Sequence, residues 1–154
     1  MSDPDFAVLV IGAARVVTDR LGGAVERAGV DDMRSSFGFV IRALSERDRT
    51  LTEVAELLAV TKQAAIKVID EMETRGFVER RPDPTDRRAK VLSLTDKGRR
   101  VRRAALAASR RMESELRRDL GDADVDALRA ALLRFLERHD ALADAAAGRA
   151  RALW

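Results

Sequence analysis

The chain has 154 residues and a formal net charge of +3, with 36% charged and only 4% aromatic residues. This length suits one domain, and an abundance of Ala, Leu and Arg with little Gly and Pro favours a mainly helical fold. The absence of Cys excludes disulfides and thiolate metal sites and suits a reducing cytoplasm. The apolar run near the N-terminus follows two Asp and is short, so neither secretion nor membrane insertion is expected.

Charge is distributed unevenly along the chain. Residues 1–48 carry 6 Arg against 8 acidic residues, residues 49–103 carry 14 Lys and Arg against 9, and residues 104–154 carry 9 of each. The central part therefore has a net excess of +5, as binding to a polyanion would require. A solvated basic face would show the same excess, so charge alone leaves both interpretations open.

Apolar residues at helical spacing predict a first helix over about residues 4–28 and a second over about 32–46. The second helix contains Met33, Phe37 and Phe39. These three side chains either belong to the core or line a small-molecule pocket, and apolar residues at this spacing more often belong to the core.

A helix-turn-helix is predicted next. Thr52 is the expected N-cap of a short third helix, and Thr61 is the expected N-cap of a fourth helix over about residues 62–75. Only Ala59 and Val60 lie between the two helices, which is typical of helix-turn-helix units.

The fourth helix has two different faces. Its predicted core stripe consists of four residues at helical spacing, Ala65, Val68, Ile69 and Met72. The opposite side of its N-terminal half offers short, amide or cationic side chains, those of Lys62, Gln63, Ala64 and Lys67. These are either plain helix surface or groups that enter a major groove, where Gln pairs with adenine and Lys with guanine or phosphate.

Two strands, over about residues 77–81 and 90–94, are predicted to form a ribbon. The polar link between them carries Arg87 and Arg88 beside Asp86, which can orient one guanidinium group. These residues are either an ordinary solvated loop or a tip that inserts arginine into the electronegative minor groove. Nearby cations have two open roles, contact with phosphate or ion pairing with local acids; they are Arg75, Arg80 and Arg81, and the acids are Glu71, Glu73 and Glu79.

Thr95 and Asp96 are expected to cap a fifth helix that ends near residue 120 at Gly121. A sixth helix, opened by Asp122, is expected to continue to about residue 147. Its apolar stripe consists of Leu128, Leu132, Phe135, Leu136 and Leu142.

The stretch from Leu51 to Gly98 resembles the core of the MarR family of bacterial transcriptional regulators. The most specific portion reads DPTDRRAKVLSLTDKG, an Asp-Arg-Arg wing tip followed by a strand and a Leu-Thr-x-x-Gly helix start. The resemblance covers nearly the whole chain and implies a mainly α fold with a small β-wing. It also implies a homodimer held by helical regions 1–30 and 100–154, with a winged helix-turn-helix over residues 31–99, all within one structural domain.

The resemblance further implies which residues contact double-stranded DNA. The matching positions are Thr52, Thr61, Lys62, Gln63, Ala64 and Lys67 in the helix-turn-helix, and Asp86, Arg87 and Arg88 in the wing. Ile66 departs from the family, which often has a small polar residue there, and it either touches a thymine methyl group or pads the core. A helix-1 Cys is also missing, so the peroxide-sensing branch of the family does not apply.

No enzyme, metal or cofactor is expected, since His139 is the only His, no Cys is present and no glycine-rich phosphate loop occurs. The predicted function is a cytoplasmic, sequence-specific repressor that binds a pseudo-palindromic operator as a homodimer and responds to a phenolic or anionic small molecule. The alternatives are a ligand-insensitive or architectural DNA-binding protein, and a winged-helix module that binds another protein.

Overall fold

A computed structural model of the chain describes residues 4–30, 33–84, 89–139 and 141. In chain order, the described elements are helices α1 (Phe6–Arg27), α2 (Ser35–Leu44), α3 (Leu51–Leu57) and α4 (Lys62–Thr74), strands β1 (Val78–Pro82) and β2 (Lys90–Leu94), and helices α5 (Asp96–Leu120) and α6 (Asp122–Arg138). The predicted fold class, mainly helical with a small antiparallel β-wing, is confirmed. Helix α6 ends at Arg138 with His139 as its C-cap, so the predicted continuation to about residue 147 is wrong, and Leu142 lies outside the described residues.

The start of α3 differs from the prediction. Thr50, not Thr52, is the N-cap: the backbone N–H of Glu53 donates to Thr50 Oγ1 at 3.3 Å, and Thr50 N–H donates to Glu53 Oε2 at 2.7 Å. This reciprocal capping box satisfies two backbone donors at once. Thr52 cannot form such a box, because the residue three positions after it is not acidic. Thr52 instead lies inside the first turn with its side chain exposed.

The capping box makes the stability of the fold depend on pH. A hydrogen bond from Arg47, aided by the backbone N–H of Thr50, lowers the pKa of the Glu53 carboxyl from 4.5 to about 2. Because the folded-state pKa is the lower one, the carboxylate stabilises the fold above about pH 4.5, and this contribution disappears as the pH falls toward 2.

We expect Glu53→Gln to lower the free energy of unfolding by about 1 kcal/mol at pH 7, as loss of a helix cap does. Urea denaturation at pH 7 and pH 3 should show the difference from the parent protein shrinking at the lower pH. Glu56→Gln is the control, since Glu56 is exposed on the same helix. A difference that stays constant with pH would contradict the role given to the Glu53 carboxylate.

The core lies between α2, α3, α4 and the sheet, with Val101 of α5 closing one side. Phe37 and Phe77 are fully buried at its centre, with ring centroids 6.1 Å apart. Phe37 therefore belongs to the core, and Met33 packs against the same cluster while Phe39 is half-buried. Of the three residues predicted to form core or pocket, Phe37 is confirmed as core, and the pocket interpretation is wrong for this residue.

The terminal helices extend away from this core. Helix α1 packs along α5 and is continuous through Gly22 and Gly23. A corner at Gly121, whose φ of 89° favours glycine, separates α5 from α6. Arg117 braces this corner by binding carboxylates on both helices, those of Glu113, Asp122 and Asp126. None of the helices in the described part of the chain is long and apolar enough to span a membrane.

Candidate nucleic-acid interface

A tight turn joins α3 to α4. Ala59 adopts a left-handed conformation, with φ of 52°, and the N–H of Val60 donates to the carbonyl of Ala55 at 3.1 Å. Thr61 then caps α4 as predicted, because its Oγ1 accepts a hydrogen bond from the N–H of Ala64 at 3.2 Å. The turn and the cap together fix where the first residues of α4 project.

The predicted core stripe of α4 is confirmed: Ala65, Ile69 and Met72 are completely buried, and Val68 is half-buried. This burial fixes the rotation of the helix about its own axis. As a result, the opposite side of its N-terminal half faces solvent.

The exposed side of α4 carries the residues that the sequence singled out. Lys62, Gln63 and Lys67 are exposed and Ala64 is half-buried. Ile66 leaves 37% of its surface exposed, so it contributes little to the core of the single chain. An amide, two ammonium groups and a branched apolar side chain thus share one accessible helix end, which suits contacts with base edges and phosphates.

The C-terminal half of α4 is acidic, and neighbouring elements neutralise it. Arg80 of β1 lies 2.6 Å from a carboxylate oxygen of Asp70 and also binds Glu73. These contacts, Asp70 foremost, raise the pKa of the Arg80 guanidinium. Arg34 binds Glu71 at 2.7 Å. Pairing the acids at this end leaves the cations at the other end as the dominant charge that the helix presents.

Each of the three nearby arginines forms an ion pair within the protein, whereas contact with phosphate stays an untested prediction for all three. Arg80 pairs with Asp70 and Glu73, Arg81 pairs with Glu79, and Arg75 Nε lies 4.0 Å from Glu71. Asp70 was not among the partners of Arg80 expected from the sequence. It lies on the exposed side of α4, one helical turn before Thr74.

The ribbon that follows α4 is a regular antiparallel pair, from Val78 opposite Leu94 to Pro82 opposite Lys90. A further hydrogen bond, from the N–H of Asp83 to the carbonyl of Ala89 at 3.0 Å, extends the pairing toward the tip. The three predicted tip residues, Asp86, Arg87 and Arg88, lie outside the described residues.

The wing is anchored to the helix-turn-helix through the backbone. Arg49, just before α3, exchanges two hydrogen bonds with Leu92 of β2, at 2.7 and 3.2 Å. Because Leu92 also pairs with Arg80 of β1, the strand β2 has a backbone partner on each side there. The ribbon therefore has a fixed position relative to α3.

His139 has none of the features of a reactive or metal-binding group. It is exposed, and its ring stacks at a tilt against Phe135 with centroids 4.7 Å apart. Across the part of the chain that the structure describes, no group of three or more His, Asp or Glu residues is arranged to hold a metal ion.

The arrangement of a short helix, a tight turn, a second helix with one exposed polar end, and a ribbon defines a winged helix-turn-helix protein. The sequence profile of the MarR family matches residues 39–89. The transcriptional repressor MprA of Escherichia coli is 32% identical over 89 residues, which make up 58% of this chain and 51% of that repressor. The chain therefore aligns with about half the length of that curated relative.

Solved structures extend the similarity beyond this central region. The crystal structure of RV1404 from Mycobacterium tuberculosis matches with a TM-score of 0.71 and 24% identity, over 89% of this chain and 96% of that one. CouR from Rhodococcus jostii, bound to p-coumaroyl-CoA, matches with a TM-score of 0.60 and 26% identity, over 85% and 91% of the two chains. Residues 39–89 thus match the MarR family, and the chain has the winged helix-turn-helix fold of these solved structures.

Proposed function

We propose that the protein is a cytoplasmic, sequence-specific repressor that binds double-stranded DNA as a homodimer. The observation that carries this proposal is the charge separation along α4. Lys62, Gln63 and Lys67 are exposed at its N-terminal end, whereas the acids at its other end are paired with cations of the protein. A helix so arranged fits a major groove with its N-terminal end inward.

Each side chain then has a distinct role in recognition. Gln63 pairs with a base edge, Lys62 and Lys67 bind guanine or phosphate, and Ile66 packs on a thymine methyl group. The small side chain of Ala64 allows close approach. Backbone phosphates are bound near the helix starts, at Thr52 and Thr61, and the wing residues Asp86, Arg87 and Arg88 reach the minor groove.

The apolar surface of the terminal helices supports a homodimer. In the first turns of α1, the residues Phe6, Val8, Leu9, Val10 and Ile11 point in all directions around the helix and are all exposed in the single chain. A helix that is apolar all round is normally buried, so a second protein surface must cover it. Exposed Leu128, Leu132 and Phe135 of α6 supply apolar surface of the same kind.

A small-molecule effector is part of the proposal. A groove of about 730 Å³ lies between α1 and α5, within the size range of ligand sites. Its lining combines small apolar side chains, including Ala24, Ala104 and Ala108, with three arginines and two acids, Arg20, Arg27, Arg111, Asp19 and Glu115. Arg20 and Arg111 both pair with Glu115, and the lining keeps a net positive charge. Such a lining suits an organic anion, and the acyl-CoA bound by CouR is a ligand of that chemical class.

Selection of bound duplexes from random DNA tests the function directly. We expect a pseudo-palindromic sequence whose half-sites are separated by about one helical turn of DNA, bound more tightly as salt decreases. Equal affinity for selected and random duplexes would favour the architectural alternative. Absence of salt-dependent binding would favour a protein-interaction module.

Arg88→Ala tests the wing. We expect at least about a tenfold loss of affinity for the selected operator, and a fall of about 1 in the slope of log affinity against log salt. Thermal unfolding should be unchanged, because the residue belongs to a polar link. Arg118→Ala removes the same charge at an exposed position near the far end of α5 and should leave both quantities unaltered. Unchanged operator binding by Arg88→Ala would contradict the wing assignment.

A further inference from the structure

The chain leaving α4 is bonded to the first turn of α5. Three consecutive carbonyl groups, those of Arg75, Gly76 and Phe77, all accept hydrogen bonds from Thr95 or Lys97. Thr95 Oγ1 donates to Gly76 O at 2.5 Å, the N–H of Thr95 donates to Phe77 O at 3.1 Å, and Lys97 Nζ donates to Arg75 O at 2.8 Å. The end of the recognition helix is therefore held by the start of α5.

Lys97 supplies the charged part of this connection. Its half-buried side chain extends across the carboxyl end of α4, and its Nζ lies 4.7 Å from the centroid of the Phe77 ring. A cation at this end of a helix interacts favourably with the unsatisfied carbonyl groups and the helix dipole. The ammonium group is thus engaged by the protein itself.

Lys97 is also far from the DNA-reading end of α4. The helix spans 13 residues, which at 1.5 Å per residue corresponds to about 20 Å. Because the N-terminal end of α4 faces the groove in the proposed complex, a side chain bonded to its C-terminal end has no direct access to the bases.

We propose that Lys97 is a positioning residue that couples the orientation of the recognition helix to the dimerisation helix α5. The inference rests on the proposed function. A dimer reads two half-sites at once, so the tilt of each α4 relative to α5 sets whether both helices fit their grooves together. Loosening the connection lowers affinity for a complete operator more than for a single half-site or random DNA.

The test uses Lys97→Met, which keeps the apolar stem and removes the donor. We expect affinity for a duplex carrying the selected operator to fall about tenfold, the size of one charge-assisted hydrogen bond. Affinity for a half-site duplex and for random duplex should change less than twofold, and the salt slope should stay the same. Lys97→Arg, which can still donate to the Arg75 carbonyl, should restore most of the affinity.

Arg100→Met is the matched control, since Arg100 is exposed on the same turn of α5 and its loss removes the same charge. Unchanged operator affinity in Lys97→Met would overturn the proposal. So would an equal loss on operator and random duplex with a salt slope lower by about 1, because Lys97 would then contact phosphate directly. If Lys97→Met does not fold, Lys97→Gln is measured in the same way, with the same outcomes.

Hydrogen exchange separates this inference from the proposed function. The N–H groups of Gly76 and Phe77 bond to Glu73 and Met72 carbonyls at the end of α4. We expect these two amides to exchange faster in Lys97→Met than in Arg100→Met, whether or not DNA is present. If exchange is faster but the parent protein prefers no duplex, only the repressor proposal is contradicted. If exchange is unchanged, the positioning role of Lys97 is contradicted.

Discussion

The double substitution Leu128→Glu and Leu132→Glu is expected to convert the protein to monomers and to lower its affinity for an operator with two half-sites by at least about 100-fold. The two leucines are four residues apart on α6, so they share one face, and they leave 45% and 48% of their surface exposed in the single chain. Burying a leucine completely contributes roughly 1.5–3 kcal/mol, and placing an unpaired carboxylate in the same interface costs more than that gain.

Sedimentation and operator titration would measure the two effects separately. The winged domain should stay folded, because neither leucine belongs to the buried core around Phe37 and Phe77. Arg134→Glu is the control, an exposed position about 120° around the same helix from Leu128. A double variant that remains dimeric would contradict the use of this α6 face, whereas a monomer with full operator affinity would contradict cooperative binding to two half-sites.

Local signals in the sequence accounted for the bounds of the two strands, α4 and α5, whereas α2 is shorter than predicted at both ends and α6 at its C-terminal end. Thr61 and Thr95 are helix N-caps and Gly76 has a positive φ, and these residue types are common at helix ends. The bounds of α4, β2 and α5 therefore lie within one residue of the predicted bounds. The start of α3 was wrong although its signal was present. Two threonines stand close together, and only Thr50 has an acid three residues later.

The contacts that orient α4 had no such signal. Helical spacing identified Ala65, Ile69 and Met72 as buried, yet it says nothing about which distant residues hold the helix end. The bond from Lys97 to Arg75 joins residues 22 apart, and the backbone bridge from Arg49 to Leu92 spans a longer separation. Such pairs depend on how the elements pack, which no short sequence pattern encodes.

Periodicity also does not reveal what covers an apolar stripe. Val25 and Val125 are buried within the single chain, whereas other apolar residues of the same two helices stay exposed. Helical spacing does not distinguish the buried residues from the exposed ones, since it shows only that one face of a helix avoids water. The division into a dimerisation region and a winged region, 1–30 with 100–154 against 31–99, therefore stays a prediction that the Leu128 and Leu132 variant tests.

Gly98→Ala is expected to lower the free energy of unfolding by about 2–3 kcal/mol, as overpacking a tight contact does. A Cβ atom at this position would collide with the carbonyl oxygen of Phe77 and approach Leu94 Cδ2 to 3.0 Å. The first obstacle is backbone, so no change of side-chain rotamer relieves it. For a domain of this size, the melting temperature should fall on the order of 5–10 °C.

Gly38→Ala is expected to change the free energy of unfolding in the opposite direction to Gly98→Ala. Both glycines lie within helices, and alanine is normally better there by about 1 kcal/mol. A Cβ at Gly38 meets no atom within 4 Å, so Gly38→Ala should raise the stability by roughly that amount. The opposite signs of the two substitutions in a thermal melt would isolate the close approach at Gly98 from helix propensity, and two stabilising results would contradict it.

The contact at Gly98 and the bond from Lys97 are consequences of one close approach. Only a residue without a Cβ lets the first turn of α5 lie against the backbone of Phe77, and that proximity brings Lys97 Nζ within 2.8 Å of the Arg75 carbonyl. A Gly98→Ala protein that folds below its lowered melting temperature should therefore also lose operator affinity, in the same direction as Lys97→Met. Full operator affinity in the folded Gly98→Ala protein would separate the two effects and weaken the case that this junction orients α4.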